Sequence, residues 1–96
     1  MGKSNKKQTK KSVRLGKDLI ASKAESLNRK LYNMAEQGIK EITLDFAKVK
    51  TVDPMGLSII AATYNTMNHI GGKLLFKNIP DEVDTIFEAL GLKQHL

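Results

Sequence analysis

Three strand-like runs alternate with three helix-like runs in this sequence, and that order constrains the fold more than any other feature. Apolar residues recur with a period of two in the strand-like runs and at helical spacing in the runs between them. The six runs are, in order, residues 12–15, 22–37, 41–46, 57–70, 73–77 and 83–90. Strands connected through helices pair in parallel, with crossovers of one hand. The sequence therefore predicts an α/β fold: one small domain of β-α-β-α-β-α order, with a central, mainly parallel sheet of about four strands and helices packed against it.

The first strand and the first helix carry recognisable boundary signals. The strand pattern can continue as far as Ile20, with a kink or bulge at Gly16. Ser22 and Glu25 have the spacing of a capping box, in which each side chain bonds a backbone N–H of the first helical turn. Gly38 is a residue type that commonly follows the last helical turn. These signals predict a first helix that starts at Ser22 and ends just before Gly38.

The later elements are predicted from their apolar positions. Strict alternation places Ile42, Leu44 and Phe46 on one strand face. The apolar positions of the second helix are Leu57, Ile60, Ala61, Tyr64, Met67 and Ile70. A short strand, KLLFK, follows, and Asp81 is expected to cap a third helix that ends at Gly91. The apolar positions of the third helix are Val83, Ile86, Phe87 and Leu90.

The positive charge of the chain is concentrated at its N-terminus. The formal net charge is +6, and six basic residues with no acid among them fall in the first 14 residues. They are Lys3, Lys6, Lys7, Lys10, Lys11 and Arg14. The rest of the chain is balanced, with 10 basic and 10 acidic residues. Because a short polar and basic segment cannot bury enough apolar surface to order itself, we expect a disordered tail over 1–11 and a folded domain over 12–96.

The composition argues against several classes of function. The chain has no cysteine, and its two histidines, His69 and His95, do not have zinc-site spacing. No nucleophile is visibly paired with a base, so we expect neither an enzyme nor a metal or other cofactor. Apolar runs are too short to cross a membrane, and the absence of cysteine fits a reducing compartment. We therefore expect a cytoplasmic protein that reaches a membrane only through a partner.

The stretch TVDPMGLS, residues 51–58, is the most specific part of the sequence. Asp53 is a good N-cap residue, and Pro54 fits the first helical position, where its missing N–H costs nothing. Gly56 leaves the first turn without a side chain, so another backbone or a ligand can approach closely. The stretch also follows a strand end, which is where open α/β sheets place their binding sites. This junction is thus a candidate docking surface.

The same stretch resembles the D-S-[ST]-G-L signature of STAS domains, the family of bacterial anti-sigma-factor antagonists. Three further segments resemble that family: residues 13–27, the Gly71-Gly72-Lys73-Leu74 lead into a strand, and the closing helix over 83–92. The resemblance covers about residues 13–96 and implies the fold predicted above. It also implies a binding module whose partner is a kinase-like anti-sigma factor or a related signalling protein. In phosphorylated members, a serine of this signature accepts phosphate from that partner, and the partner is then released.

This chain departs from the family at the two serine positions, which hold Pro54 and Met55. Met55 occupies the usual acceptor position, and a thioether cannot accept a phosphate; it offers a flexible apolar contact instead. Ser58 is the candidate for a relocated acceptor, and Thr51 is a weaker one. We expect the partner to contact the segment that runs from Asp53 through Gly56 and Leu57 to Ser58. Ser22 and Lys23, from the preceding strand-to-helix loop, are expected neighbours.

Two other functions stay open at this point. STAS domains also occur as structural subunits of signalling scaffolds and as accessory parts of transporters. In a different class, the lysine-rich tail could bind nucleic acid through phosphate contacts. Nucleic acid is the less favoured partner, because the tail has no aromatic residues for base stacking.

Overall fold

Eight elements follow one another in the computed structural model, which describes residues 9–89 and 91. They are β1 (Lys10–Arg14), β2 (Asp18–Leu19), α1 (Ala21–Glu36), β3 (Glu41–Asp45), β4 (Thr51–Val52), α2 (Pro54–His69), β5 (Lys73–Lys77) and α3 (Asp81–Ala89). The predicted α/β order of strands and helices is confirmed. Most of the expected tail, the core position proposed for Leu90, and His95 lie outside the described residues.

The strands form two parallel sheets instead of one sheet of about four strands. β3 lies at the centre of a three-stranded sheet of order β1-β3-β5, and both neighbours run parallel to it. β2 and β4 form a separate two-stranded sheet, in which Leu19 lies opposite Val52. The chain leaves the main sheet after Arg14 and enters the second sheet at Asp18. The kink expected at Gly16 is therefore the point where the chain changes sheets.

One face of the main sheet is the core of the domain. Val13, Leu44 and Phe76 lie side by side across the three strands, and Ile42 lies beside Leu74 in the adjacent row. All five side chains are buried. α1 adds the buried side chains of Ala24, Leu27, Leu31 and Met34. The apolar face predicted for Ile42, Leu44 and Phe46 is confirmed, since all three side chains are buried.

Phenylalanine rings attach α3 to this core. The centroid of the Phe87 ring lies 4.9 Å from that of Phe76 and 6.1 Å from that of Phe46. Phe46 and Phe76 meet edge to face at 5.8 Å. Such ring pairs stabilise a core beyond the area that they bury. Since Phe87 and Val83 are buried, the orientation of α3 is fixed, and Ile86 is left on the outside of the helix.

The predicted capping box is wrong. α1 begins at Ala21, and its N-cap is Ile20, which has extended backbone angles and makes no side-chain cap hydrogen bond. Ser22 and Glu25 therefore lie inside the first turns of the helix. Ile20 directly follows β2, so strand pairing with β4 fixes the start of the helix one residue earlier than the local signal predicts.

Smaller differences occur at other element ends. Asp81 is the first residue of α3 and not its cap, because the carbonyl of Pro80 accepts the first helical hydrogen bonds. Ile70, expected in the core, follows the last residue of α2 and is 54% exposed. β1 begins at Lys10, two residues before the expected start of the domain. Gly38, by contrast, has the positive φ angle that its predicted place after α1 requires.

Asp45 is a buried carboxylate at the C-terminal end of β3. Its Oδ1 accepts hydrogen bonds from the side-chain amide of Asn78 and from the backbone N–H of Ala47, each at 2.9 Å. The Nε of Arg14 lies 3.7 Å from its Oδ2. The bond from Asn78, then that from Ala47 and the charges of Lys77 and Arg14, lower the pKa of Asp45 below its ordinary value against the opposing effect of burial.

This lowered pKa makes the stability of the domain depend on pH. The stabilisation is present above the unfolded-state pKa of about 3.9 and is lost as the pH falls through the lower folded-state pKa. We therefore expect Asp45→Asn, which keeps an acceptor oxygen but no charge, to flatten the pH dependence of the free energy of unfolding below about pH 4. Urea denaturation at a series of acidic pH values measures this dependence of the free energy of unfolding. Equal slopes for wild type and Asp45→Asn would contradict this assignment.

Candidate functional site

The junction between β4 and α2 is built by a local cap. Asp53 has extended backbone angles, with φ −123° and ψ 158°, and its Oδ1 accepts a 2.6 Å hydrogen bond from the N–H of Gly56. Pro54 occupies the first helical turn, as predicted. The capping role predicted for Asp53 is thus confirmed, and it fixes the direction in which the first turn of α2 projects.

Gly56 allows the first turn of α2 to pack directly on the chain between β2 and α1. A Cβ atom at this position would lie 2.6 Å from the carbonyl oxygen of Leu19 and 3.2 Å from the carbonyl carbon of Ile20. The backbone N–H of Asp53 also donates to the Leu19 carbonyl, at 3.2 Å. Gly56 and Leu57 are both buried. The close approach expected at Gly56 is therefore made by another part of the same chain. Gly56 and Leu57 lie beneath the exposed residues of this turn and support them.

The outer side of the same turn is exposed and apolar. Met55 is 60% exposed, and Pro54 and Ser58 are also exposed. Beside them lies a hollow of about 320 Å³, which we name the α2–α3 hollow. It is lined by Val52, Asp53, Pro54, Leu57, Ser58 and Ile86. An exposed methionine next to an apolar hollow is a surface suited to contact with another protein.

Ile86 is a part of this site that the sequence pattern does not reveal. Its spacing from Val83 fits a core position, and it was expected there. In the structure it is 40% exposed and lines the α2–α3 hollow. Only the tertiary placement of α3 beside the start of α2 brings Ile86 to this surface, so no local signal could have found it.

The helix α3, which contributes Ile86 to the hollow, is acidic. Asp81, Glu82, Asp84 and Glu88 are all exposed, and α3 contains no basic residue. Within the described part of the chain, none of these carboxylates lies within 4.0 Å of a basic group. Of these carboxylates, Glu82 lies one helical turn before Ile86 and is therefore on the side of α3 that contributes Ile86 to the hollow.

Ser22 and Lys23 do not lie in a loop. Both are exposed residues of the first turn of α1. Lys23 lines a second hollow, which also contains Lys17 and Lys30 and shares no lining residue with the α2–α3 hollow. Thr51, the first residue of β4, is exposed.

Within 9–89 and 91, no three or more His, Asp or Glu side chains are grouped so that they could hold a metal ion. None of the three helices in that part of the chain is long and apolar enough to span a membrane.

Comparison with known proteins agrees with this fold. The sequence profile of the STAS domain matches residues 4–96. The anti-sigma-B factor antagonist of Staphylococcus aureus strain NCTC 8325 is 26% identical over 81 residues, which is 84% of this chain and 75% of that protein. The corresponding antagonist of Bacillus subtilis strain 168 is 27% identical over 81 residues, with 84% and 73% covered.

A solved structure gives the same result for the fold. The Bacillus cell fate determinant SpoIIAA, in its phosphorylated form, superposes with a TM-score of 0.74 over 93% of this chain and 81% of that chain, at 18% identity. The profile match spans nearly the whole chain. The chain belongs to the STAS domain family.

Proposed function

We propose that this chain is a non-enzymatic interaction module of the anti-sigma-antagonist type, which binds a kinase-like anti-sigma factor in the cytoplasm. The observation that carries the proposal is the exposed apolar surface at the start of α2, formed by Met55 and the α2–α3 hollow. It lies on the stretch that resembles the family's phosphorylation signature. The curated relatives named above are anti-sigma-B factor antagonists, which supports this class of partner.

The chain differs from a switchable antagonist at Met55. SpoIIAA exists in a phosphorylated and an unphosphorylated form, whereas a methionine at the acceptor position has no hydroxyl. A phosphate at this point would place about two negative charges inside an apolar interface and beside the acidic α3. Without that event, the surface stays competent to bind. We therefore propose a permanently active binder, with Ser58 as the candidate acceptor if the switch has moved along α2.

The border of the hollow indicates what the partner presents. An apolar side chain can fill the space between Leu57 and Ile86, because both side chains line the hollow. A basic side chain beside that anchor would face Glu82, which lies one helical turn before Ile86 on the same side of α3. Charge complementarity of this kind speeds association and selects partners more than it adds affinity.

Binding measured with surface variants tests the proposal. Met55→Asp and Ile86→Asp should each weaken binding to the kinase-like anti-sigma factor encoded nearest to the gene by at least about tenfold to thirtyfold, as expected for central apolar contacts. Isothermal titration calorimetry gives the dissociation constants. Ile70→Asp is the matched control, because Ile70 is an equally exposed apolar residue at the opposite end of α2.

The control separates a local effect from a general one. Ile70→Asp should bind as the wild type does, and circular dichroism should show that all three variants fold. Wild-type affinity in Met55→Asp and Ile86→Asp would exclude this surface as the interface. Equal losses in all three variants would also contradict the proposal, since they would indicate a non-specific response to added charge.

A further inference from the structure

A second hollow, of about 430 Å³, lies between α1 and the segment that connects β1 to β2. We name it the basic hollow. Its lining includes the aliphatic side chains of Val13, Leu15, Leu19 and Leu27. Its volume falls within the range of small-molecule sites, about 300–1,000 Å³. Among the described residues, none lines both this hollow and the α2–α3 hollow, which is assigned to the protein partner.

The border of the basic hollow is strongly positive. Arg14, Lys17, Lys23 and Lys30 line it, with Asp18 as its acidic residue. Arg14 is engaged by Asp45. In contrast, within the described part of the chain no carboxylate lies within 4.0 Å of the amino group of any of these three lysines.

The arrangement of these lysines follows from the helix. Lys23, Leu27 and Lys30 are spaced four and three residues apart, so they form one stripe of α1. The stripe places a positive charge on either side of an apolar residue that faces the hollow. Like charges held close together repel one another, and an anion that binds between them relieves this repulsion.

We propose that the basic hollow binds a small amphiphilic anion, with an aliphatic body and a phosphate or carboxylate head. The aliphatic lining accommodates the body, and the lysines at the border bind the head by charge-assisted hydrogen bonds. None of the described residues that line the hollow is aromatic, so a nucleotide base has no ring among them to stack on. The concave shape favours a single molecule over the surface of a bilayer.

The test is an NMR titration of the full chain with octyl phosphate below its micelle concentration. Amide signals in residues 14–19 and 23–30 should shift. Octyl phosphate should bind at least about tenfold more tightly than inorganic phosphate, which lacks the aliphatic body, or octyl glucoside, which lacks the anionic head. The double variant Lys23→Glu/Lys30→Glu should weaken the binding of octyl phosphate by about tenfold or more. Lys48→Glu, which alters an exposed lysine outside the hollow, should leave this affinity unchanged.

Four outcomes would overturn the proposal. The first is an absence of shifts in residues 14–19 and 23–30. The second is a set of shifts confined to the α2–α3 hollow. The third is an equal loss of affinity for octyl phosphate in Lys48→Glu, which would indicate attraction to the overall charge of the protein only. The fourth is sedimentation with vesicles of anionic phospholipid without any binding of monomeric octyl phosphate, which would assign the lysines to a membrane surface.

Discussion

Replacing Gly56 by valine should destabilise the domain by about 3 kcal/mol or more, at the upper end of the range for overpacked sites. A Cβ at this position would lie 2.6 Å from the carbonyl oxygen of Leu19, which is a backbone atom and cannot rotate away. The start of α2 would have to move away from β2, and the hydrogen bond from Asp53 to Leu19 would be lost with it. Such a change is a large part of the typical stability of a domain, about 5–15 kcal/mol.

Chemical denaturation of the wild type and of two glycine variants measures this effect. Gly16→Val is the matched control, because a Cβ at Gly16 would meet no atom within 4 Å. The Gly16 variant should unfold within about 0.5 kcal/mol of the wild type. Near-wild-type stability of Gly56→Val would show that the packing of α2 on β2 is looser than described. Equal losses in both variants would show that valine is disfavoured for reasons unrelated to this contact.

The order of elements could be predicted because the local periodicity of the apolar residues indicates each strand and each helix. Ile42, Leu44 and Phe46 alternate with polar residues, and their burial follows from that pattern alone. The cap formed by Asp53 and Pro54 is equally local, since its hydrogen bond spans three residues. The strand pattern and the cap depend on residues that are close in the sequence, and the tertiary contacts of the fold are compatible with both.

Features that depend on distant partners could not be predicted. Ser22 and Glu25 have the correct spacing for a capping box, but pairing of Leu19 with Val52 holds the chain extended up to Ile20 and starts the helix at the next residue. The first strand-like run, which was expected to continue as far as Ile20, is also divided between the two sheets, because β1 pairs with β3 and β2 pairs with β4 in the assembled fold. The exposure of Ile86 likewise depends on where α3 docks.

Met55→Ser should turn a surface that accepts no phosphate at this position into one that does. The substitution restores a hydroxyl at a position that is 60% exposed in the first turn of α2. Backbone N–H groups and the helix dipole at this end favour a phosphate. Once phosphorylated, the variant should release its partner, since the added charge would lie against the apolar hollow and beside the carboxylates of α3.

Phosphoryl transfer from radiolabelled ATP, catalysed by the kinase-like anti-sigma factor, tests most directly the claim that this chain is an antagonist-type binder without the usual switch. We expect the wild type to bind the factor and to stay unlabelled, while Met55→Ser becomes labelled and its binding weakens as label accumulates. Label on the wild type that disappears in Ser58→Ala would contradict the account, because the switch would then lie at Ser58. A Met55→Ser variant that binds but stays unlabelled would also contradict it, because residue 55 would then not lie where the partner delivers phosphate.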